Sequence, residues 1–321
     1  MTDKLLARIL NQAQIPDLLD ALVERLTPTD LQSLLLEVYR RRTAGVTPAH
    51  LLRQYEQNRF VRPAQIDPRQ QLAFDRLAYS LLPAGFQTIE LSPVCPLGTN
   101  SAVATVDQNK IVTTIRNTEV CADSTNVLAL ECALRRRELG RSQERRNDPV
   151  KLCASQRVIR AQVFDGPASF AHFRLLSLCT AGRDRGSYRF EADALKEQIG
   201  FYLDLIQVCQ QKGFAIGQVR GIVTAFDEIR VEALSSEVIT PLAAQYEGVA
   251  ITLDADDTNK QGYYCSARFQ IRISDMDGND YLIVDGGFTD WTQQLLSNHK
   301  ERLLISGMGS ERFLFCFGRP R

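Results

Sequence analysis

Histidine is scarce in this chain. His50, His172 and His299 are its only three, and eight cysteines are scattered at Cys95, Cys121, Cys132, Cys153, Cys179, Cys209, Cys265 and Cys316 with no Cys-x-x-Cys pair. That spacing argues against a zinc site. Net charge is missing too: 38 basic residues balance 38 acidic ones, so a strongly basic nucleic-acid surface is not indicated. No apolar run approaches the ~20 residues that span a bilayer, and the N-terminus lacks a basic-then-apolar signal pattern. No internal repeat or low-complexity tract is present. These absences set the expectation of a globular, cytoplasmic protein with no membrane partner, its cysteines being small core residues in a reducing compartment.

At 321 residues the chain can form one large domain or two ordinary ones. Residues 1–62 read as an N-terminal helical region. Thr27-Pro28, Thr47-Pro48 and Asp67-Pro68 each place a capping side chain before a proline at the first helical position, where its missing N–H costs little. Leu31, Leu34, Leu35 and Val38 share one helical face. The segment from Phe60 to Pro68, with two prolines, reads as an extended linker.

From residue 66 to 321 the composition becomes β-rich. Strands are expected over 86–93, 101–108, 110–118, 157–164, 171–179, 217–226, 248–254, 262–273 and 281–287, and helices over 122–137 and 191–213. Many strands in hairpin-like succession with few helices predict an α+β domain around a mainly antiparallel sheet. Near the C-terminus a strand runs into Gly307-Met308-Gly309 and then Ser310-Glu311-Arg312. Glycine permits positive φ or close approach to a ligand, a helix N-terminus attracts negative charge, and arginine presents a planar fork to phosphate. The turn is therefore a candidate nucleotide site.

Five stretches follow one another: GFQTIELSP ending at Pro93; CADSTNVLALECA from Cys121; DPVKLCASQRVIRAQ followed by VFDGPASFAHFRLLSLC; QGYYCSARFQI with DYLIVDGGFTDW; and GMGSERF. In this order they resemble the catalytic domain of class II aminoacyl-tRNA synthetases. The closest likeness is to the histidyl-tRNA synthetase branch, which includes the catalytically silent ATP phosphoribosyltransferase regulatory subunit. The resemblance implies a class II antiparallel sheet flanked by helices, a homodimer through the first stretch (motif 1), and ATP with Mg²⁺ as cofactors. It implies that Arg160 (motif 2) grips the α-phosphate and that Arg312 (motif 3) is the second ATP arginine, so that both are the catalytic candidates. Gln162, Phe173, Gly307 and Gly309 would complete the nucleotide site, while Asp123, Thr125, Tyr263, Tyr264, Gly286 and Gly287 would hold the carboxylate substrate.

The sequence also departs from that pattern. Gln162 stands where the synthetases carry Glu, though its carbonyl still accepts a hydrogen bond. The loop from Val163 to Ala171 has no Arg or Lys, which weakens its hold on ATP and on RNA. The histidyl enzymes' arginine falls on Asn259, with Lys260 beside it. Leu175 and Cys179 stand where the histidine-selective enzymes carry polar and acidic residues, so a cationic or strongly polar substrate would lose its partners there. The resemblance leaves no anticodon-binding domain after motif 3, the chain stopping at Arg321, so tRNA charging is not expected. The resulting expectation is an ATP-dependent ligase that adenylates a small carboxylate other than histidine; the alternative is a non-catalytic regulatory or ligand-binding subunit.

Simpler roles stand beside these. Arg160 and Arg312 could serve in salt bridges, and Asp123 with Thr125 could cap the helix that follows. Alternation along a strand would turn only one of Tyr263 and Tyr264 toward ligand. Asp285, Gly286 and Gly287 could floor a pocket or form a β-bulge. The Arg135–Arg146 run reads as solvated surface, and His172 as structural.

Overall fold

The computed structural model describes residues 3–162, 170–226, 228–254 and 263–318. Its N-terminal helices begin where capping chemistry places them. α1 (Asp3–Ala13) and the short α2 (Leu18–Asp20) precede α3 (Pro28–Thr43) and α4 (Pro48–Gln57), and α5 (Pro68–Ser80) follows the linker. Thr27, Thr47 and Asp67 accept hydrogen bonds from the backbone N–H of Asp30, His50 and Arg69, with proline in each first turn. No residue of α3 or α4 is buried. On the apolar face read from the sequence, Leu31 and Leu35 are half-buried while Leu34 and Val38 are exposed. α5 differs: it buries Phe74, Asp75 and Ala78, and the Phe74 ring lies 5.5 Å from that of Phe313.

The chain continues through β1 (Phe86–Thr88), β2 (Val94–Pro96), α6 (Thr99–Val103), β3 (Thr118–Val120), α7 (Ser124–Leu139), β4 (Val150–Ile159), β5 (His172–Arg183) and α8 (Arg189–Gln211). It ends through β6 (Val219–Ala225), α9 (Glu228–Leu234), α10 (Thr240–Gln245), β7 (Ala250–Asp254), β8 (Ala267–Ser274), β9 (Asp280–Thr289), α11 (Trp291–Leu296), β10 (Glu301–Met308) and α12 (Ser310–Phe317). Eight strands form one sheet in the order β1-β4-β5-β10-β9-β8-β6-β7. Every neighbouring pair is antiparallel except β1 with β4 and β6 with β7. The mainly antiparallel α+β architecture expected from the sequence is thus present. Among the described residues no helix is long and apolar enough to cross a membrane.

The pleat of the strands sends successive side chains to opposite faces, and the core divides accordingly. Leu178 and Leu304 join α8 residues such as Leu195, Ile199 and Tyr202 on one face. Their neighbours Cys179 and Ile305 join Leu128, Ala129 and Cys132 of α7, with Trp291, on the other.

Three readings need correction. Residues 101–108 and 110–118 are not strands; the end of α6 and a turn of 3₁₀ helix at Gln108–Lys110 fall there, and of the second segment only Thr118, the first residue of β3, joins a ladder. The cause is Glu119. Its buried carboxylate accepts from Gly98 N at 2.9 Å, Asn100 N at 2.8 Å, Asn100 Nδ2 at 2.7 Å and Gln108 Nε2 at 2.8 Å, so the segment folds around a side chain instead of pairing. Desolvation pushes this carboxyl's pKa up, yet the four donors outweigh it and leave the pKa below its ordinary value. The arginine run is also not all surface: Arg136 is fully buried, bidentate on Glu301 at 2.9 and 3.1 Å, and donates to the carbonyls of Asp148 and Arg146. Finally, α9 and α10 occupy a stretch in which the sequence pattern predicts no element.

Candidate functional site

On the α7 side of the sheet lies a cavity of about 400 Å³. Its wall takes Asp123 and Thr125 from the start of α7, Arg160 from just past β4, Phe173 and Leu175 from β5, and Tyr263 and Tyr264 from ahead of β8. Asp285 of β9, Gly307 of β10, Gly309 and Arg312 of α12 complete it. The fold therefore brings to one cavity eleven residues singled out by sequence: Asp123, Thr125, Arg160, Phe173, Leu175, Tyr263, Tyr264, Asp285, Gly307, Gly309 and Arg312.

Asp123 caps α7, one of the roles the sequence offered for it, and also holds an arginine. Oδ1 accepts from the Thr125 backbone N–H at 2.9 Å and from the Thr125 hydroxyl at 2.8 Å, capping α7. Oδ2 accepts from Arg160 Nη2 at 2.9 Å. Arg160 is held further by Nε donating to the Ala122 carbonyl at 3.1 Å and by the Phe173 ring, 5.1 Å from its guanidinium. This cation is therefore neutralised within the site.

Arg312 contrasts with it. Glu311 beside it is spent on Arg157 Nη2 at 2.8 Å and the Arg174 backbone N–H at 3.1 Å. Among the described residues no carboxylate pairs with Arg312, and its buried Nε has no hydrogen-bond partner. Its guanidinium lies 6.0 Å from the Tyr281 ring centroid. The glycines before it act through space and not through unusual dihedrals, because neither has a positive φ. A Cβ on Gly307 would stand 3.2 Å from Leu175, so the bare backbone leaves that leucine room in the wall.

The tyrosine pair departs from strand alternation because both residues precede β8, and both rings reach the cavity. They lie 4.8 Å apart, and Tyr263 packs 5.0 Å from Trp291. Burial pushes the Tyr263 phenol up to about 12, with the Asp123 charge adding to it; burial raises Tyr264 as well. Both stay protonated near neutral pH, and Tyr264 donates to Asp285 Oδ2 at 3.2 Å. Arg268 pairs with Asp285 Oδ1 at 2.8 Å. Each of these two cavity carboxylates, Asp123 and Asp285, thus already holds an arginine.

Three expected residues do not reach the wall. Gln162 lies exposed beyond the end of β4. Gly286 and Gly287 are packing glycines inside the sheet: a Cβ on Gly286 would meet Phe269 and Ser306 at 2.6 Å, and one on Gly287 would meet Tyr264 at 2.6 Å and the Ala267 carbonyl at 2.8 Å. Asp285, not the glycine pair, faces the cavity, and the register shift in this hairpin falls at Ile271/Arg272. Cys179 is buried in the α7 layer, whereas Leu175 lines the wall. His172 accepts at Nδ1 from Arg157 Nη1 at 2.9 Å and donates from Nε2 to the Arg62 carbonyl at 2.7 Å, because a guanidinium can only donate; its role is structural. Residues 163–169, Asn259 and Lys260 lie outside the described residues.

Sequence reasoning missed Phe170, Leu282, Ile283, Ile305 and Ser306 in the wall. Ser306 is fixed from the α8 side by Tyr202 Oη at 3.0 Å and Gln198 Oε1 at 2.6 Å. Strand alternation alone cannot say which face of β10 holds a cavity.

No protein-family model and no curated protein matches this sequence. Solved structures do match in shape. The histidyl-tRNA synthetase of S. aureus superposes with a TM-score of 0.58 at 13% identity, over 79% of this chain and 67% of that one. An ATP phosphoribosyltransferase regulatory subunit/histidyl-tRNA synthetase from Bacillus halodurans C gives 0.56 at 12% identity, over 81% of this chain and 82% of that one. A histidine–tRNA ligase subunit from Alicyclobacillus acidocaldarius gives 0.52 at 12% identity, over 79% and 96%. At such identities the likeness speaks for the fold alone, and it agrees with the sheet and the motif order: the chain has the class II synthetase-like fold found in histidyl-tRNA synthetases and the ATP phosphoribosyltransferase regulatory subunit.

Proposed function

We propose that the chain binds ATP in this cavity and activates a small carboxylate other than histidine as an adenylate. The observation that carries the reading is the convergence of Arg160 and Arg312, 152 residues apart by numbering (312 minus 160), on one cavity. ATP suits the residues present: Arg312 has a buried, unpartnered Nε among the described residues, and charge-assisted bonds to phosphate are among the stronger polar contacts. Mg²⁺ would arrive on the nucleotide's own phosphates, its usual ligands together with water.

In the reaction a carboxylate oxygen attacks the α-phosphorus, the bond to the bridging oxygen breaks, and pyrophosphate leaves with that electron pair. The protein's part is to position charge. Arg160 must release Asp123 to meet the α-phosphate, and a substrate ammonium would replace it on that carboxylate. Substrate binding and arming of Arg160 then become one exchange of partners. Leu175 and Ile305 offer a substrate side chain an apolar wall, which disfavours imidazole. Two copies would associate through the motif 1 region, Gly85 to Pro93.

One observation favours a second reading, a ligand-binding subunit without catalysis. Arg160 is already neutralised by Asp123, as expected where a phosphate is no longer bound. ATP–pyrophosphate exchange across amino acids and other carboxylates, with ATP binding to wild type and Arg312→Ala, separates the two. Exchange together with binding lost in Arg312→Ala supports the ligase. Binding without exchange supports the subunit, and no nucleotide binding removes the ligase.

A further inference from the structure

At the opposite ends of β5, β9 and β10 a second cavity, of about 520 Å³, lies between the β5–α8 connection, the start of α8 and the end of β9. Three carboxylates line it, Asp184, Glu191 and Asp290, against two guanidiniums, Arg230 and Arg302. The donors are largely consumed. Arg302 gives Nε to Glu191 Oε1 at 2.9 Å, Nη2 to Asp184 Oδ2 at 2.7 Å, and Nη1 to the carbonyls of His299 and Glu301. Arg230 donates from Nε to Tyr188 Oη and stacks over that ring at 4.9 Å.

Asp184 is fully bonded, its Oδ1 accepting from the Gly186 N–H at 2.7 Å, but other acceptors are left over. The Glu191 side chain is 7% exposed, yet its Oε2 has no hydrogen-bond partner among the described residues. Thr289, 1% exposed, lines the same cavity with its hydroxyl equally unpartnered. Asp290 stands at the start of α11 without making a side-chain cap, and no ion pair to it occurs among the described residues. A buried carboxylate oxygen without a donor is costly, so surplus acceptors in a cavity select a ligand rich in N–H. Among the described residues no three metal-ligating side chains converge, which favours an organic cation over a metal ion.

We propose that this cavity binds a primary ammonium compound, which donates to Glu191 Oε2 and the Thr289 hydroxyl while Asp290 supplies counter-charge. The site is independent of the ATP cavity. It is tested on the full chain by calorimetric titration and thermal shift with propylamine and 1,4-diaminobutane, against succinate and against sodium chloride at matched ionic strength. Saturable binding of the amines is expected, with none of succinate. Glu191→Gln, which places an amide at the orphan oxygen, and Thr289→Val, which removes the hydroxyl at nearly constant volume, should each weaken binding roughly ten- to a hundredfold, the range for hydrogen bonds to charged groups. Arg312→Ala should leave it unchanged, which separates this site from the nucleotide cavity. If Glu191→Gln fails to fold, Thr289→Val and Asp290→Asn carry the test. The proposal is overturned by no saturable amine binding, by an equal effect of sodium chloride, by succinate binding in place of the amines, or by full affinity in the variants that fold.

Discussion

Asp123→Asn separates what Asp123 does for the helix from what it does to Arg160. Asparagine caps helices as well as aspartate, so the bonds now made by Oδ1 to Thr125 are kept. Oδ2 becomes an amide nitrogen facing Arg160 Nη2, and the ion pair at 2.9 Å is lost. Because the paired side chains are 34% and 22% exposed, solvent screens the pair, and its loss is expected to cost about 0.2–1 kcal/mol. In melting temperature that is at most ~2–4 °C. Asp123→Ala removes the cap as well and should cost ~1 kcal/mol more. The released guanidinium can then take phosphate through a charge-assisted bond of about 1.5–3 kcal/mol, so ATP should bind Asp123→Asn roughly tenfold tighter by calorimetry. Exchange driven by an amino-acid substrate should fall in the same variant, since the ammonium loses its carboxylate. Weaker ATP binding in Asp123→Asn, with the melting temperature moved no further than stated, would refute the view that Asp123 sequesters Arg160.

Other residues give equally direct tests. Glu301→Gln leaves the buried Arg136 guanidinium without its counter-charge and should destabilise by about 3–5 kcal/mol, read from chemical denaturation; a loss under ~1 kcal/mol would contradict the burial of the pair. Gly287→Ala puts a methyl 2.6 Å from Tyr264 and 2.8 Å from the Ala267 carbonyl, an overpacking expected to cost about 1–3 kcal/mol, whereas Gly45→Ala, with open space around it, should be nearly neutral. Glu119 has a folded pKa below its ordinary value, so it stabilises the fold above the unfolded pKa of about 4.3, and that contribution is lost as pH falls through the lowered folded value. The melting-temperature gap between wild type and Glu119→Gln should accordingly be full at neutral pH and close in acid; a gap constant across pH would show that the carboxylate charge is not what matters.

Much of the fold was legible because its signals are local. Thr27, Thr47 and Asp67 announce their helices by capping chemistry, and β-prone apolar runs mark β8 through β10. Residues 101–108 and 110–118 do not pair as the pattern suggests because the buried Glu119 gathers Gly98, Asn100 and Gln108 around its carboxylate, a contact that no pattern of neighbouring residues encodes. The same limit applies at the cavity. Arg160 and Arg312 stand out by their motif context, but whether Arg160 is free or held depends on Asp123, a fact of tertiary geometry. Gly286 and Gly287 show the converse: the sequence marks them as unusual, and only packing tells that they make room for Phe269 and Tyr264 and do not touch the cavity.

The position of β10 has a consequence for the order of events during synthesis. It is the last strand among the described residues and lies between β5 and β9 in the sheet, so a nascent chain that has not yet released residues 301–308 holds two unjoined half-sheets. Each half exposes an unpaired edge, and neither cavity is closed. Pairings of this kind, distant in sequence, form slowly, and chains held at that point are prone to aggregate. An intermediate without β10 would therefore lack the wall that Ile305, Ser306 and Gly307 give one cavity and that Arg302 gives the other.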